Sequence, residues 1–213
     1  MSISLCLIVK NEEKHLSKFL KDLKDFVDEI IIVDTGSTDK TKNIASKFTK
    51  KIYEIKWNDD FSAARNFSIS KATKEWILVL DPDEIISKKD LIRLKKIISL
   101  NEKGIMGYRL IQKTFLDGNV VSIRGICRVF KNDKRIKFIY NIHETVRESI
   151  KKIGGRIGKT GITIKHYPKI NREKQEYYLR LLKTKKEKFC ESNVDKEIEN
   201  ELKLLTYLKV SSP

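Results

Sequence analysis

The first hundred residues alternate short, unbroken apolar runs with charged stretches of helical period, and few architectures tolerate that pattern. A strand that is apolar on both faces must be covered on both, so each one has to lie inside a sheet flanked by helices. The runs Ser4–Val9, Glu29–Asp34, Lys51–Trp57 and Glu75–Leu80 read as these strands. Between them, helices are expected from Asn11 through Leu23, over 39–48 and over Phe61–Ala72, with Asn11 as N-cap of the first and Ser37 or Thr38 capping the second. Such β-α alternation builds a parallel sheet.

Beyond residue 100 the pattern changes. Gly104–Phe115 and Val120–Phe130 read as longer strands joined by a turn at Asp117-Gly118-Asn119, so the second half adds mixed or antiparallel strands. From about 171 to 209 helical spacing returns, with Tyr177, Tyr178, Leu181 and Leu182 in one stretch and Ile198, Leu202, Leu205 and Leu208 in the next. The 213 residues suit one α/β domain over 1–170 with a helical extension over 171–213 that packs back on it. The alternatives for that extension are dimerisation through its helices or contact with a membrane surface.

Charge separates the two halves of the domain. Residues 1–100 hold 19 basic and 16 acidic side chains, whereas residues 101–170 hold 16 and 5. Most of the net +16 therefore lies in the second half, where it calls for an anionic partner. Cys6, Cys127 and Cys190 are few, far apart and without a C-x-x-C pair, which argues against a disulfide framework or a cysteine-rich zinc site and fits a reducing compartment. The apolar stretch Ile3–Val9 is too short for a signal-peptide core, and no run approaches 18 apolar residues. A cytoplasmic protein is expected, with peripheral attachment to the inner face of a membrane as the variant.

In open α/β sheets ligands bind beyond the carboxyl ends of the strands. Those positions here are Lys10-Asn11, Asp34-Thr-Gly-Ser37 and Asp81-Pro-Asp83-Glu84. Asp81 and Asp83 flank a proline just after an apolar strand, a pattern suited to a hard divalent cation that in turn holds phosphates, although a turn followed by helix capping would use the same residues.

Taken together, Ser4–Glu13, Asp28–Thr41, Phe61–Asn66 and Trp76–Glu84 resemble, in order and spacing, family 2 glycosyltransferases of the GT-A fold. Within that family the chain is most similar to the branch containing lipopolysaccharide-core glucosyltransferases and tetratricopeptide-linked or peptide S-glycosyltransferases. The resemblance continues more loosely through Arg128-Val-Phe130, His143-Glu144 and His166-Tyr167. It implies a nucleotide-sugar-binding half over 1–100 and an acceptor-side half over 101–170. It implies that Asp34 bonds the nucleotide base, usually uracil, with Ile8 and Lys10 lining the same pocket. Arg65 would face the diphosphate or brace the acidic cluster, with Asn66 in support. Asp83 would hold Mn²⁺ or Mg²⁺, Asp81 would contact ribose or metal, and His166 would stand against the metal or diphosphate. Glu144 is the implied catalytic base, with His143 as the alternative base or as its orienting partner. The departure from the family pattern is Pro82, where relatives carry a small residue.

The resemblance thus implies a metal-dependent, inverting transferase that moves a sugar from a nucleotide-sugar donor, UDP-linked, to an anionic glycan, a lipid-linked acceptor or a peptide. Two other functions fit parts of the sequence. A sugar nucleotidyltransferase needs a glycine-rich loop after the first strand, where Lys10-Asn11-Glu12-Glu13 stands instead. A nucleic-acid-binding module would need aromatics interleaved with the cations at the surface, whereas Phe115, Phe130, Phe138 and Tyr140 have core-like spacing, so no nucleic acid is expected as partner. Gly154–Thr160 lacks the leading glycine of a P-loop, and His143-Glu-Thr-Val-Arg147 lacks the second histidine of a zinc protease helix.

Overall fold

The computed structural model describes residues 1–169 and 171–189, together with 198, 199 and 202. In its first half β1 (Ile3–Val9), β2 (Glu29–Asp34), β3 (Ile52–Glu54) and β4 (Trp76–Val79) are separated by α1 (Leu16–Leu23), α2 (Thr41–Ala45) and α3 (Phe61–Ser70). Then come β5 (Glu84–Ile86), α4 (Lys88–Ser99), β6 (Ile105–Leu116), β7 (Asn119–Lys131), α5 (Arg147–Lys152), β8 (Arg156–His166) and α6 (Arg172–Phe189). All eight strands join one sheet in the order β3-β2-β1-β4-β7-β6-β8-β5. The first four strands are mutually parallel, β7 enters antiparallel to β4 and β6, and β8 runs parallel to β6.

The period of two along β1 shows why its run is continuously apolar. Ile3, Leu5, Leu7 and Val9 pack in the cluster that holds Leu16, Phe19, Leu20 and Leu23 of α1 and Leu91, Leu94 and Ile98 of α4. Cys6 faces the other way, into the cluster of Ile69 from α3, Phe130, Phe138, Val146 and Ile150. Burying a leucine or isoleucine on either face is worth roughly 1.5–3 kcal/mol, and both layers depend on it. The β6–β7 turn has Asp117 and Gly118 at φ +47° and +80°, the left-handed pair that a two-residue hairpin needs.

Local expectations fail at the loops. Asn11 does not cap α1, which begins at Leu16; it adopts φ +54° and its Oδ1 accepts from Thr38 N at 2.8 Å. Asp39, rather than Ser37 or Thr38, serves the start of α2 by accepting from Thr41 N at 2.9 Å. Both changes have one cause: the loop after β1 is tied to the loop after β2, with Asn11 N donating to Ser37 Oγ, Glu12 N to Thr41 Oγ1 and Glu13 N to Asp39 Oδ2. β5, α5 and β8 were not read from the sequence; β8 spans Gly158, Gly161 and Lys159, a composition that resembles a loop. α6 does pack back, its Leu181 and Leu182 meeting Ile142 with Phe61, Tyr177 and Tyr178 around them. Of the second tail stretch, Leu205 and Leu208 lie outside the described residues, as does Cys190.

Candidate active site

β4 delivers the chain to Asp81-Pro-Asp-Glu84, and the backbone turns sharply there: Glu84 N donates to Asp81 O at 2.9 Å, while Asp81 N donates to Glu84 Oε2 at 3.0 Å. Two arginines meet this acidic turn. Arg65 of α3 places Nη2 at 2.9 and 2.8 Å from the two Asp81 carboxylate oxygens. Arg128 of β7 sets Nη2 at 3.1 Å from Asp81 Oδ2 and 3.2 Å from Glu84 Oε1. Glu84, 1% exposed, also accepts from Gln112 Nε2, and Gln112 Oε1 in turn accepts from Arg124 Nε at 2.6 Å. Burial resists ionisation of Asp81, yet Arg65 and Arg128 outweigh it and hold the carboxyl at about 2. At Glu84 burial prevails over Arg128 and Asp81 adds repulsion, so its pKa is raised.

Arg65 reaches in a second direction. Its Nε donates to Glu144 Oε1 at 2.5 Å, so one guanidinium joins the strand end to the 139–146 loop. That loop is clamped at its base. Asn66, one residue along α3, donates through Nδ2 to Phe138 O at 2.8 Å and accepts from Phe138 N at 2.8 Å. Phe61 N donates to Asn141 O, and Ile139 pairs with Thr145 across the loop. Tyr140 and His143 take φ +74° and +51°, strained values for such residues that persist where surroundings impose them.

Asp83 sits away from both arginines. Its Oδ2 lies 3.5 Å from His166 Nε2 at the end of β8, and Tyr167 N donates to its carbonyl at 2.9 Å. His166 Nδ1 faces Thr114 Oγ1 at 3.2 Å, which fixes the ring with Nε2 toward Asp83. Two cis ligands of an octahedral ion with bonds of ~2.1 Å lie about 3 Å apart, so this oxygen and nitrogen can hold one hard divalent cation. Among the described residues no group of three or more His, Cys, Asp or Glu is arranged to hold a metal unaided. Such a two-donor site fits a Mg²⁺-like ion that keeps waters and takes substrate phosphates as its other ligands.

Asp34 ends β2, 1% exposed, with Oδ1 accepting from Gly36 N at 2.8 Å and Ser37 N at 2.7 Å. Its Oδ2 is buried without a partner, an acceptor whose desolvation calls for a donor from elsewhere. A cleft of about 1940 Å³ runs across these strand ends, and Ile8, Lys10, Arg65, Asp81, Asp83, His143, Glu144 and His166 all line it. Asp34 and Asn66 stand behind its wall. α6 forms part of the far side: Tyr177 and Tyr178 line the cleft, Trp57 Nε1 donates to Tyr177 Oη at 2.8 Å, and Asn141 Nδ2 donates to Leu181 O at 3.2 Å.

The sequence reading missed Arg128 as a site residue, together with Glu84, Gln112 and Arg124. Arg128 stands in a strand of ordinary β composition, and the pairing of β7 antiparallel to β4, which brings it to Asp81, has no local signal. Glu84 adjoins the Asp81-Pro-Asp83 motif, and its position was the available clue.

Fold and cleft together define a GT-A type of α/β domain, in which the parallel half carries an acidic turn at its strand ends. A model of glycosyl transferase family 2 matches residues 4–167, and the chain belongs to that family. Over 148 residues it is 38% identical to a TPR repeat-containing protein of Synechococcus elongatus, covering 70% of this chain and 36% of the relative. Over 149 residues it is 33% identical to the SPbeta prophage-derived glycosyltransferase SunS of Bacillus subtilis, covering 67% and 34%. The chain thus spans about a third of the length of these relatives. Among solved structures, S. aureus TarS 1-349 in complex with UDP-GlcNAc superposes with a TM-score of 0.62 at 16% identity, covering 98% of this chain and 71% of that one. Glucosyl-3-phosphoglycerate synthase from Mycobacterium tuberculosis, in complex with Mg²⁺ and UDP, gives 0.57 at 16% identity, covering 86% and 79%. These two likenesses are of fold.

Proposed function

We propose that the chain is a metal-dependent, inverting glycosyltransferase that uses a UDP-linked sugar. The observation that carries this reading is the Arg65 bridge, which sets a carboxylate, Glu144, beside an acidic turn whose free member, Asp83, faces His166. Complexes of structural neighbours, one with UDP-GlcNAc and one with Mg²⁺ and UDP, support the nucleotide and the cation.

Each side chain then has a task. Asp34 stands behind the pocket wall lined by Ile8 and Lys10, and its unpartnered Oδ2 would accept from an N–H of the base. Asp83 and His166 hold the cation, with Asp81 kept ionised beside them by its two arginines. A bound divalent cation supplies charge neutralisation for the departing diphosphate. Glu144 has Oε1 committed to Arg65, which leaves Oε2 to take the acceptor proton. His143, next to it in the cleft wall, is the alternative base or orients Glu144. As the acceptor oxygen or sulfur bonds to the anomeric carbon, the bond to the diphosphate breaks and UDP leaves with the electron pair; displacement from the opposite face inverts the centre.

The acceptor is an anionic glycan, a lipid-linked phosphate or a peptide, since the cations concentrate on the half across from Asp34. No described helix is long and apolar enough to cross a membrane. Incubation with UDP-sugars and Mn²⁺, with and without candidate acceptors, tests the proposal: UDP release that depends on the metal is expected, and a protein that binds no nucleotide sugar overturns it.

A further inference from the structure

The acceptor side of the cleft holds a feature that none of the assigned roles uses. Arg109 lies on β6 where both of its ladders break register, with β7 between Tyr108 and Arg109 and with β8 between Arg109 and Ile111. Such irregularities re-aim a side chain. On β8 the break runs from Lys159 to Thr163 and contains Gly161 at φ +65°, while Thr160 Oγ1 donates to the Arg109 carbonyl at 3.1 Å and fixes the distorted segment. The residue directly opposite Arg109 is Lys159. Like charges placed opposite each other destabilise a sheet, and both side chains are exposed and line the cleft. Among the described residues neither is paired with a carboxylate.

Space has been left for this arrangement. A Cβ added at Gly125 on β7 would lie 2.5 Å from Arg109 Cδ and 2.8 Å from its Nε, so the arginine stem lies across the backbone at Gly125 and any side chain there would push it aside. Arg147 and Lys151 of α5 line the same cleft; the carboxylates of that stretch are Glu148 and Glu144, the latter already bound by Arg65. We infer that Arg109 and Lys159 form a subsite for a phosphate group carried by the acceptor. A guanidinium fork beside an ammonium matches a phosphate oxyanion: two directed N–H bonds from the arginine and a point charge from the lysine. This assignment rests on the cleft being the site of glycosyl transfer and names the acceptor chemistry of that site.

The test uses the full chain and two probes. Inorganic tripolyphosphate is titrated in EDTA buffer at low salt, and sedimentation with vesicles containing phosphatidylglycerol determines whether a lipid headgroup is the source of the phosphate. The double variant R109A/K159A, altered at exposed positions, is expected to lose about tenfold or more in affinity for the probe that wild type binds, as charge-assisted bonds of this kind predict. Gly125→Ala, which leaves every charge in place, weakens binding by displacing the arginine. The control K88A/K89A, with the same change in net charge on α4, does not. UDP-sugar affinity in Mn²⁺ stays unchanged in all three. The assignment is overturned if wild type binds neither probe, if R109A/K159A binds like wild type, if Gly125→Ala binds like wild type, if K88A/K89A loses as much affinity, or if UDP-sugar affinity falls in parallel. Failure of wild type to bind UDP-sugar, with tripolyphosphate binding still dependent on Arg109, would instead reject the donor reading alone.

Discussion

Arg65 Nε lies 2.5 Å from Glu144 Oε1, although the two residues are 79 positions apart in the chain. The same guanidinium grips Asp81 with Nη2, so one side chain, 4% exposed, sets the distance between the strand-end turn and the loop across the cleft. Its Nη1 is buried with no partner, so the fork has capacity left for a ligand oxygen.

Removal of Arg65 leaves Glu144 without its counter-ion and Asp81 with Arg128 alone. Breaking a buried pair in this way costs about 3–5 kcal/mol, so Arg65→Ala is expected to lower Tm by roughly 10 °C and to abolish UDP release. Arg65→Lys restores the charge, but a point-like ammonium cannot span Asp81 and Glu144 together; Tm recovers in part while turnover does not. Thermal unfolding alongside a UDP-release assay reads both.

Asn66 stands behind the cleft wall and acts on it through the backbone of Phe138. Losing its two hydrogen bonds costs about 1–3 kcal/mol and loosens the loop that carries Glu144. Asn66→Ala is therefore expected to keep UDP-sugar affinity, measured by titration, while kcat falls about tenfold.

Acid stability carries the signature of the turn. Asp81 is held at about 2 in the fold, with burial opposing and Arg65 and Arg128 prevailing, against ~3.9 when unfolded. A depressed carboxylate stabilises the fold above the unfolded value, by about 2 kcal/mol here, and that contribution is lost as pH falls from ~4 toward 2. Glu84, raised by burial, has the opposite sign and makes the decline shallower. Urea unfolding of wild type and Asp81→Asn across pH 2–7 is expected to converge at the acid end and diverge above pH ~4.

α6 braces the 139–146 loop through Leu182, fully buried against Ile142. Leu182→Ala is expected to cost about 2–5 kcal/mol and to reduce turnover, read by calorimetry and kinetics.

The strands of the parallel half were legible because burial on both faces leaves a continuous apolar run, as at Ile30–Val33. Asp34, Asp81 and Asp83 were legible because they stand directly after such runs. Loop contacts were not: Asn11 looks like an N-cap until Thr38 and Ser37, on another loop, claim its polar groups. Nor was the role of Arg128, which depends on β7 crossing the sheet to lie beside β4, or that of Arg65 as a bridge, since its second partner comes from a loop 79 positions away.

In the proposed reaction Asp83 and His166 hold the cation that makes the donor diphosphate a leaving group. The direct test is UDP-sugar turnover by wild type and Asp83→Ala across a Mn²⁺ titration. Wild type is expected to be silent in EDTA and active in Mn²⁺, and Asp83→Ala, while folded, to stay below about a hundredth of wild-type turnover at every metal concentration. Equal turnover by the two proteins, or full wild-type activity in EDTA, would contradict it.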